Sequence, residues 1–121
     1  MLAYITTVDL QKILQVKELL EKNYKYNFTH CQLASKVGTN EFKLRTIFKQ
    51  FINMTINEYV TVIRIEKAKE LLETTDLPIK MVAEKVGYDI RNFNRQFKKN
   101  TKTAPLIWRR SYGKVYLSLE K

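Results

Sequence analysis

The sequence holds one cysteine, Cys31, so it closes no internal disulfide and builds no cysteine-rich metal site. It holds one histidine, His30, which leaves a histidine-based triad or metal cluster without a partner. Glycine occurs three times and proline twice in 121 residues, too few breakers for a sheet protein with its many turns. No glycine-rich phosphate loop is present, and no apolar run approaches the ~18 residues of a membrane span. The N-terminal stretch MLAYITTVDLQ lacks a signal-peptide pattern. These shortages predict no catalytic residue, no metal ligand, no cofactor and no membrane partner, in a soluble chain placed in the cytoplasm. His30-Cys31, at the start of a short helix, reads as surface or half-buried filler.

Acidic residues are the other shortage: 12 Asp+Glu stand against 22 Lys+Arg, a formal charge of +10. None lies between Ile90 and Leu119, where eight basic residues fall: Arg91, Arg95, Lys98, Lys99, Lys102, Arg109, Arg110 and Lys114. The acids gather in the middle, at Glu58, Glu66, Glu70, Glu73 and Asp76. Such an excess speaks to partners rather than to fold. Nucleic acid, an anionic membrane and an acidic protein all fit it, and so does a plain solvated basic face.

What is present is a globular composition, 45% hydrophobic, over one domain's length. From about Val8 to Tyr24, Leu10, Ile13, Leu14, Leu20 and Tyr24 recur mainly at three- and four-residue spacings, the stripe of an amphipathic helix. Thr29 with Gln32 forms a capping box for a short helix that stops at Gly38. Asn40 caps a helix from Glu41 to about Phe51. Thr55 with Glu58 opens a longer helix whose apolar residues are Tyr59, Val60, Ile63, Ala68, Leu71 and Leu72, ended by Thr75, Asp76 and Pro78. A short helix from Ile79 to Val86 stops at Gly87, Asp89 caps the next to about Asn100, and Pro105 opens a last one. The piece Val115-Tyr-Leu-Ser-Leu119 reads equally as a short extended segment or a frayed helix.

The chain overlays on itself when shifted by 49 residues: Leu33-Ala-Ser-Lys-Val-Gly38 meets Val82-Ala-Glu-Lys-Val-Gly87, and Phe48-Lys49 meets Phe97-Lys98. Six of seventeen positions are identical between 33–49 and 82–98, and Tyr59 pairs with Trp108. A duplication weighs more than a single motif. Each copy is laid out as a helix-turn-helix, two helices crossing steeply through a short turn. Ala34 and Ala83 are small enough for the crossing. Gly38 and Gly87 tolerate the positive φ of the turn. Leu44 and Phe93, with Phe48 and Phe97 one turn later, anchor the second helix.

The second helices then have outward faces. With Leu44, Ile47, Phe48 and Phe51 inward, the first copy presents Glu41, Phe42, Arg45, Thr46 and Lys49. With Phe93 and Phe97 inward, the second presents Ile90, Arg91, Asn94, Arg95 and Lys98. These side-chain types suit duplex DNA. Arginine grips guanine in a fork, asparagine pairs with adenine, and apolar groups meet the thymine methyl. Lys49 and Lys98, a turn later, suit phosphates. Solvated helix arginines, and core packing for Phe42, are the plainer alternatives.

Three stretches carry a family resemblance: Arg64-Ile-Glu-Lys-Ala-Lys-Glu-Leu-Leu72 with the Thr-Thr-Asp turn after it, Val82-Ala-Glu-Lys-Val-Gly-Tyr88, and Asn92-Phe-Asn-Arg-Gln-Phe-Lys-Lys99 followed by Thr103-Ala-Pro105. Over about Leu10 to Tyr112 the sequence resembles the DNA-binding domain of the AraC/XylS family of bacterial transcription regulators. The resemblance implies an all-α fold of about seven helices: two helix-turn-helix, homeodomain-like subdomains, 1–54 and 75–112, joined by a long helix, 55–74, with a tail at 113–121. It implies that helices 41–51 and 90–100 recognise DNA by entering successive major-groove segments. A helix of ~19 residues spans ~28 Å, and major-groove faces recur about every 34–36 Å. Double-stranded DNA is the implied partner, with RNA polymerase as a second and a monomer as the state of this chain. The sequence departs from the family pattern at Asn53 and Lys102, where glycine is usual, and at Ala104, where Ser or Thr is usual. The turn Gly87-Tyr-Asp-Ile90 reads as one residue shorter than is common, which leaves the register of the second reading face open by one position. Many members carry a separate ligand-sensing domain, so the chain reads as either a stand-alone regulator or the DNA-binding end of a larger one.

Two rival functions stand beside sequence-specific regulation: a protein-interaction module meeting an acidic partner, and non-specific nucleic-acid binding. On the first reading, the basic second copy grips the backbone more strongly, while Phe42 and Arg45 of the first contribute more to base reading.

Overall fold

The computed structural model describes residues 6–113; the piece 115–119 lies outside them. Among the described residues there are seven helices and no strand: α1 (Thr7–Lys22), α2 (His30–Val37), α3 (Glu41–Ile52), α4 (Ile56–Thr74), α5 (Ile79–Val86), α6 (Ile90–Thr101) and α7 (Pro105–Tyr112). The chain divides into two compact units, Met1–Val60 and Thr61–Lys121, with the division inside α4.

Local chemistry places the helix ends. The Thr29 hydroxyl accepts from the Gln32 N–H at 3.0 Å while the Gln32 amide oxygen accepts from the Thr29 N–H at 2.9 Å. Thr55 and Glu58 reciprocate in the same way. Asn40 accepts from the Lys43 N–H and Asp89 from the Asn92 N–H, both at 2.8 Å. A further box, Thr6 with Asp9, starts α1. Gly38 and Gly87 end α2 and α5 in the left-handed region, at φ 77° and 97°. Asn53 and Lys102 do the same after α3 and α6, at φ 68° and 63°. The geometry usually given to glycine is thus kept without it. Ala104 makes no side-chain cap before Pro105.

In the first unit, the core is Ile13, Val16 and Leu20 of α1, Leu33 and Ala34 of α2, Leu44, Ile47 and Phe48 of α3, and Ile56 of α4. Three corrections to the sequence reading follow. Leu14 is 49% exposed, because the buried stripe runs Ile13, Val16, Leu20 and Leu14 stands about 100° round the helix from Ile13. Tyr24 lies beyond the helix, which ends at Lys22. Phe51 is 43% exposed, and it is Tyr59 of α4 that meets Phe48, its ring edge-on at 5.7 Å.

In the second unit the core is Ile65, Ala68 and Leu72 of α4, Val82, Ala83 and Val86 of α5, and Phe93 and Phe97 of α6. Trp108 of α7 meets Phe97 edge-on at 5.7 Å. The expected α4 residues Tyr59, Val60, Ile63 and Leu71 are only half-buried. The helix serves two cores, Ile56 in the first unit and Ile65, Ala68 and Leu72 in the second, so no single stripe describes it.

The duplication is therefore deeper than the sequence overlay. Both aromatic closures, Phe48–Tyr59 and Phe97–Trp108, keep the offset of 49 (97 − 48 and 108 − 59). Each closing ring also donates to a carboxylate: Tyr59 Oη to Glu21 at 2.5 Å, and Trp108 Nε1 to Glu73 at 3.0 Å. Glu21 and Glu73 differ by 52 (73 − 21), as do the buried pairs Ile13/Ile65, Val16/Ala68 and Leu20/Leu72. The loop before α2 runs 23–29 and that before α5 runs 75–78. The second is three residues shorter (7 against 4), which turns 52 into 49.

Candidate nucleic-acid interface

Both turns between paired helices hold three residues, Gly38-Thr-Asn40 and Gly87-Tyr-Asp89, so the 49-residue register passes unbroken into α3 and α6. The second turn is not shorter than the first. Within each turn the glycine N–H and the next residue's N–H close the preceding helix. Gly38 bonds Ser35 O and Thr39 bonds Ala34 O, while Gly87 bonds Glu84 O and Tyr88 bonds Ala83 O.

On α3, Glu41, Phe42, Arg45 and Lys49 are exposed and Thr46 is half-buried. Phe42, at 76% exposure, is not in the core. This face is largely partnered by the protein itself. Arg45 Nη1 meets Glu41 at 3.1 Å, one helical turn back, and the His30 Nδ1 at 3.4 Å. The other ring nitrogen of His30 faces Asn57 Oδ1 at 3.3 Å, so the half-buried His30 connects α4's first turn to the outward face of α3. Thr46 turns its hydroxyl onto Phe42 O at 2.8 Å. Lys49 stands 3.8 Å from Glu58, whose carboxyl the Thr55 N–H, then the Thr55 hydroxyl, hold below its ordinary value. Lys43, on the same helix, pairs with Asp9 at 3.3 Å. Asp9 is itself buried, and the Thr6 N–H foremost keeps its pKa low.

On α6 the arrangement differs. Phe93 and Phe97 are fully buried, while Ile90, Arg91, Asn94, Arg95 and Lys98 are exposed. Arg95 Nη2 donates to Asn92 Oδ1 at 2.7 Å. Among the described residues none of Arg91, Arg95, Lys98, Lys99 or Lys102 makes a salt bridge. The two outward faces thus differ in state of charge among the described residues: the cations of α3 are matched by carboxylates, those of α6 are not. Among the described residues no group of three or more His, Cys, Asp or Glu is placed to hold a metal ion, and no helix is long and apolar enough to cross a membrane.

His30 and Glu58 are the partners that sequence reasoning missed. Their contacts join positions 15 and 9 residues apart (45 − 30 and 58 − 49), through tertiary packing that no helical period announces.

Comparison with known proteins gives three kinds of likeness. A family model described as a helix-turn-helix domain matches residues 33–111. The raffinose operon transcriptional regulatory protein RafR of Pediococcus pentosaceus is 30% identical over 95 residues, covering 78% of this chain and 34% of its own. The arabinose operon regulatory protein of Escherichia coli (strain K12) is 34% identical over 84 residues, covering 69% and 29%. The C-terminal domain of AraT, a response regulator from Geobacillus stearothermophilus, superposes with a TM-score of 0.82 at 27% identity, covering 92% of this chain and 90% of that one. The chain spans about a third of the length of these two curated relatives.

Proposed function

Since this chain belongs to the AraC/XylS family of helix-turn-helix transcription regulators, we propose that it binds a two-part duplex DNA site, with α3 and α6 entering successive major-groove segments. The observation that carries this reading is α6. Its Phe93 and Phe97 are sunk in the core, Ile90, Arg91, Asn94, Arg95 and Lys98 stand outward, and among the described residues no carboxylate pairs with the three cations. Arg91, Arg95 and Asn94 are the base readers there, Ile90 meets a thymine methyl, and Lys98 holds phosphate. On α3, Phe42 and Arg45 read bases, Glu41 orients Arg45, Thr46 offers its methyl group, and Lys49 exchanges Glu58 for a phosphate.

The partnering of α3 supports a division of labour. A cation already paired releases few counterions on binding, so it adds little to non-specific affinity. Arg45 leaves Glu41 only for a better-placed acceptor, which favours a specific base edge. The open cations of α6 supply the grip. RNA polymerase is the second partner on this reading, the chain acts as a monomer, and the cytoplasm is where it works. It acts as a regulator rather than an enzyme.

Selection from a random duplex pool tests the proposal. The expected result is a motif in two blocks about one helical turn apart, preferred over random DNA by about a thousandfold or more. A pool that enriches nothing sinks it. Arg91→Ala and Arg95→Ala are expected to flatten one block; both variants keeping wild-type affinity and preference would show the reading face to be wrong.

A further inference from the structure

One contact recurs in both units between residues of different type. In the first, the Lys12 ammonium donates to the carbonyl oxygen of Gly38 at 2.8 Å. In the second, Arg64 donates from Nη1 to the carbonyl oxygen of Gly87 at 3.3 Å. Lys12 and Arg64 differ by 52 (64 − 12), the offset that relates α1 to α4, and the glycines by 49 (87 − 38), the offset that relates the turns. The same position on the first helix of each unit thus reaches the same acceptor in its turn.

Among the described residues, that acceptor takes its donor from outside the turn. The N–H groups of the first two residues of each turn close α2 and α5, and among the described residues neither glycine oxygen receives a backbone hydrogen bond. A cation is the strongest donor available to it. Arg64 is only 5% exposed, and its guanidinium stacks 4.9 Å from the centroid of the Tyr88 ring, the next residue of the turn. Burying a guanidinium is costly without such partners, so packing alone does not account for an arginine at this place. The held oxygen lies three residues before Glu41 or Ile90 (41 − 38 and 90 − 87), so fixing it fixes the entry of the reading helix.

We propose that Lys12 and Arg64 are positioning residues, each setting the angle of one reading helix and so the sequence preference of one half of the DNA site. Lys12 governs the half read by α3 and Arg64 the half read by α6. This rests on the assignment of α3 and α6 as reading helices.

The test combines selection from a random duplex pool with amide hydrogen exchange on the DNA-free chain, each below the variant's unfolding temperature. Lys12→Met is expected to weaken discrimination in the α3 block by about threefold, the size of an exposed charge-assisted bond, and to leave the α6 block and the salt slope unchanged. Exchange at Gly38 and Thr39 speeds up, and Lys12→Arg restores both. Arg64→Lys keeps the charge and the fold but loses the stacked fork; it is expected to cost about tenfold in the α6 block alone, with faster exchange at Gly87 and Tyr88. Wild-type preference and wild-type exchange in both variants would overturn the proposal. So would flattening of both blocks together, which is loss of stability. A Lys12→Met salt slope lower by about 1 with preference unchanged would make Lys12 a phosphate contact instead. A wild-type chain that enriches no motif overturns the reading beneath, while the exchange data still decide whether the clamp exists.

Discussion

Four helix ends enter the left-handed region, and they do so with different residues: Gly38 and Gly87 in the turns, Asn53 and Lys102 after the reading helices. A left-handed residue with a Cβ is disfavoured by about 1–2 kcal/mol, and asparagine less than others. Lys102→Gly therefore relieves strain, partly offset by the freer unfolded chain. We expect it to stabilise the protein by about 0.5 kcal/mol, while Asn53→Gly stays near zero, both read from thermal unfolding. A lower melting temperature for Lys102→Gly would contradict this. The caps at Thr29, Asn40, Thr55 and Asp89 were legible in the sequence because each depends on residues three apart. The box of Thr6 and Asp9 has the same spacing, but the burial of Asp9 and its pairing with Lys43 depend on another helix and show in no local pattern.

The reading helices differ as elements. Arg45 and Lys49 of α3 face Glu41 and Glu58, whereas Arg91, Arg95 and Lys98 of α6 face no carboxylate within ion-pair distance among the described residues. Lys98→Ala should lower the salt slope of DNA binding by about 1, and Arg45→Ala by clearly less while its block loses preference. Equal slopes from both helices would refute the division of labour. The closing aromatics differ too. Glu21 is held below its ordinary 4.5, chiefly by the Tyr59 hydroxyl, and Tyr59 is pushed above its ordinary 10.0 by burial and by Glu21. The Glu21 contribution is present at neutral pH and lost as acid protonates it below pH 4.5; the Tyr59 contribution is present below pH 10 and lost as alkali rises past that value. Tyr59→Phe should cost about 1 kcal/mol at neutral pH and flatten both limbs of a stability-against-pH curve followed by urea unfolding. Trp108 has no proton to lose in this range, so Trp108→Phe should leave the limbs as they were. The helices themselves were readable from caps and glycines. The packing faces of α1 and α4 were not: a period reports a stripe but cannot choose Val16 over Leu14, nor tell that one helix fills two cores.

For the whole molecule, the repeat was visible at an offset of 49 because α2, α3 and the turn between them keep their length. The matching of α1 with α4 was hidden by a loop three residues shorter, which moves their equivalence to 52. The units therefore share α4: Ile56 and Tyr59 close the first, and Ile65, Ala68 and Leu72 found the second. A fragment ending at residue 54 lacks the ring that meets Phe48. We expect 1–54 to lack dispersed side-chain resonances in nuclear magnetic resonance spectra, and 1–74 and 55–121 each to show them; a well-folded 1–54 would deny the overlap. Trp108 stands fourth in α7 as Tyr59 stands fourth in α4, and α7 begins 49 residues after α4 (105 − 56). The last helix is thus an unfinished α4. Lengthened from 8 to 19 residues with the buried pattern of its counterpart, it becomes the first helix of another unit. On the proposed DNA-reading assignment, a chain extended in this way is expected to select a duplex motif with one block more.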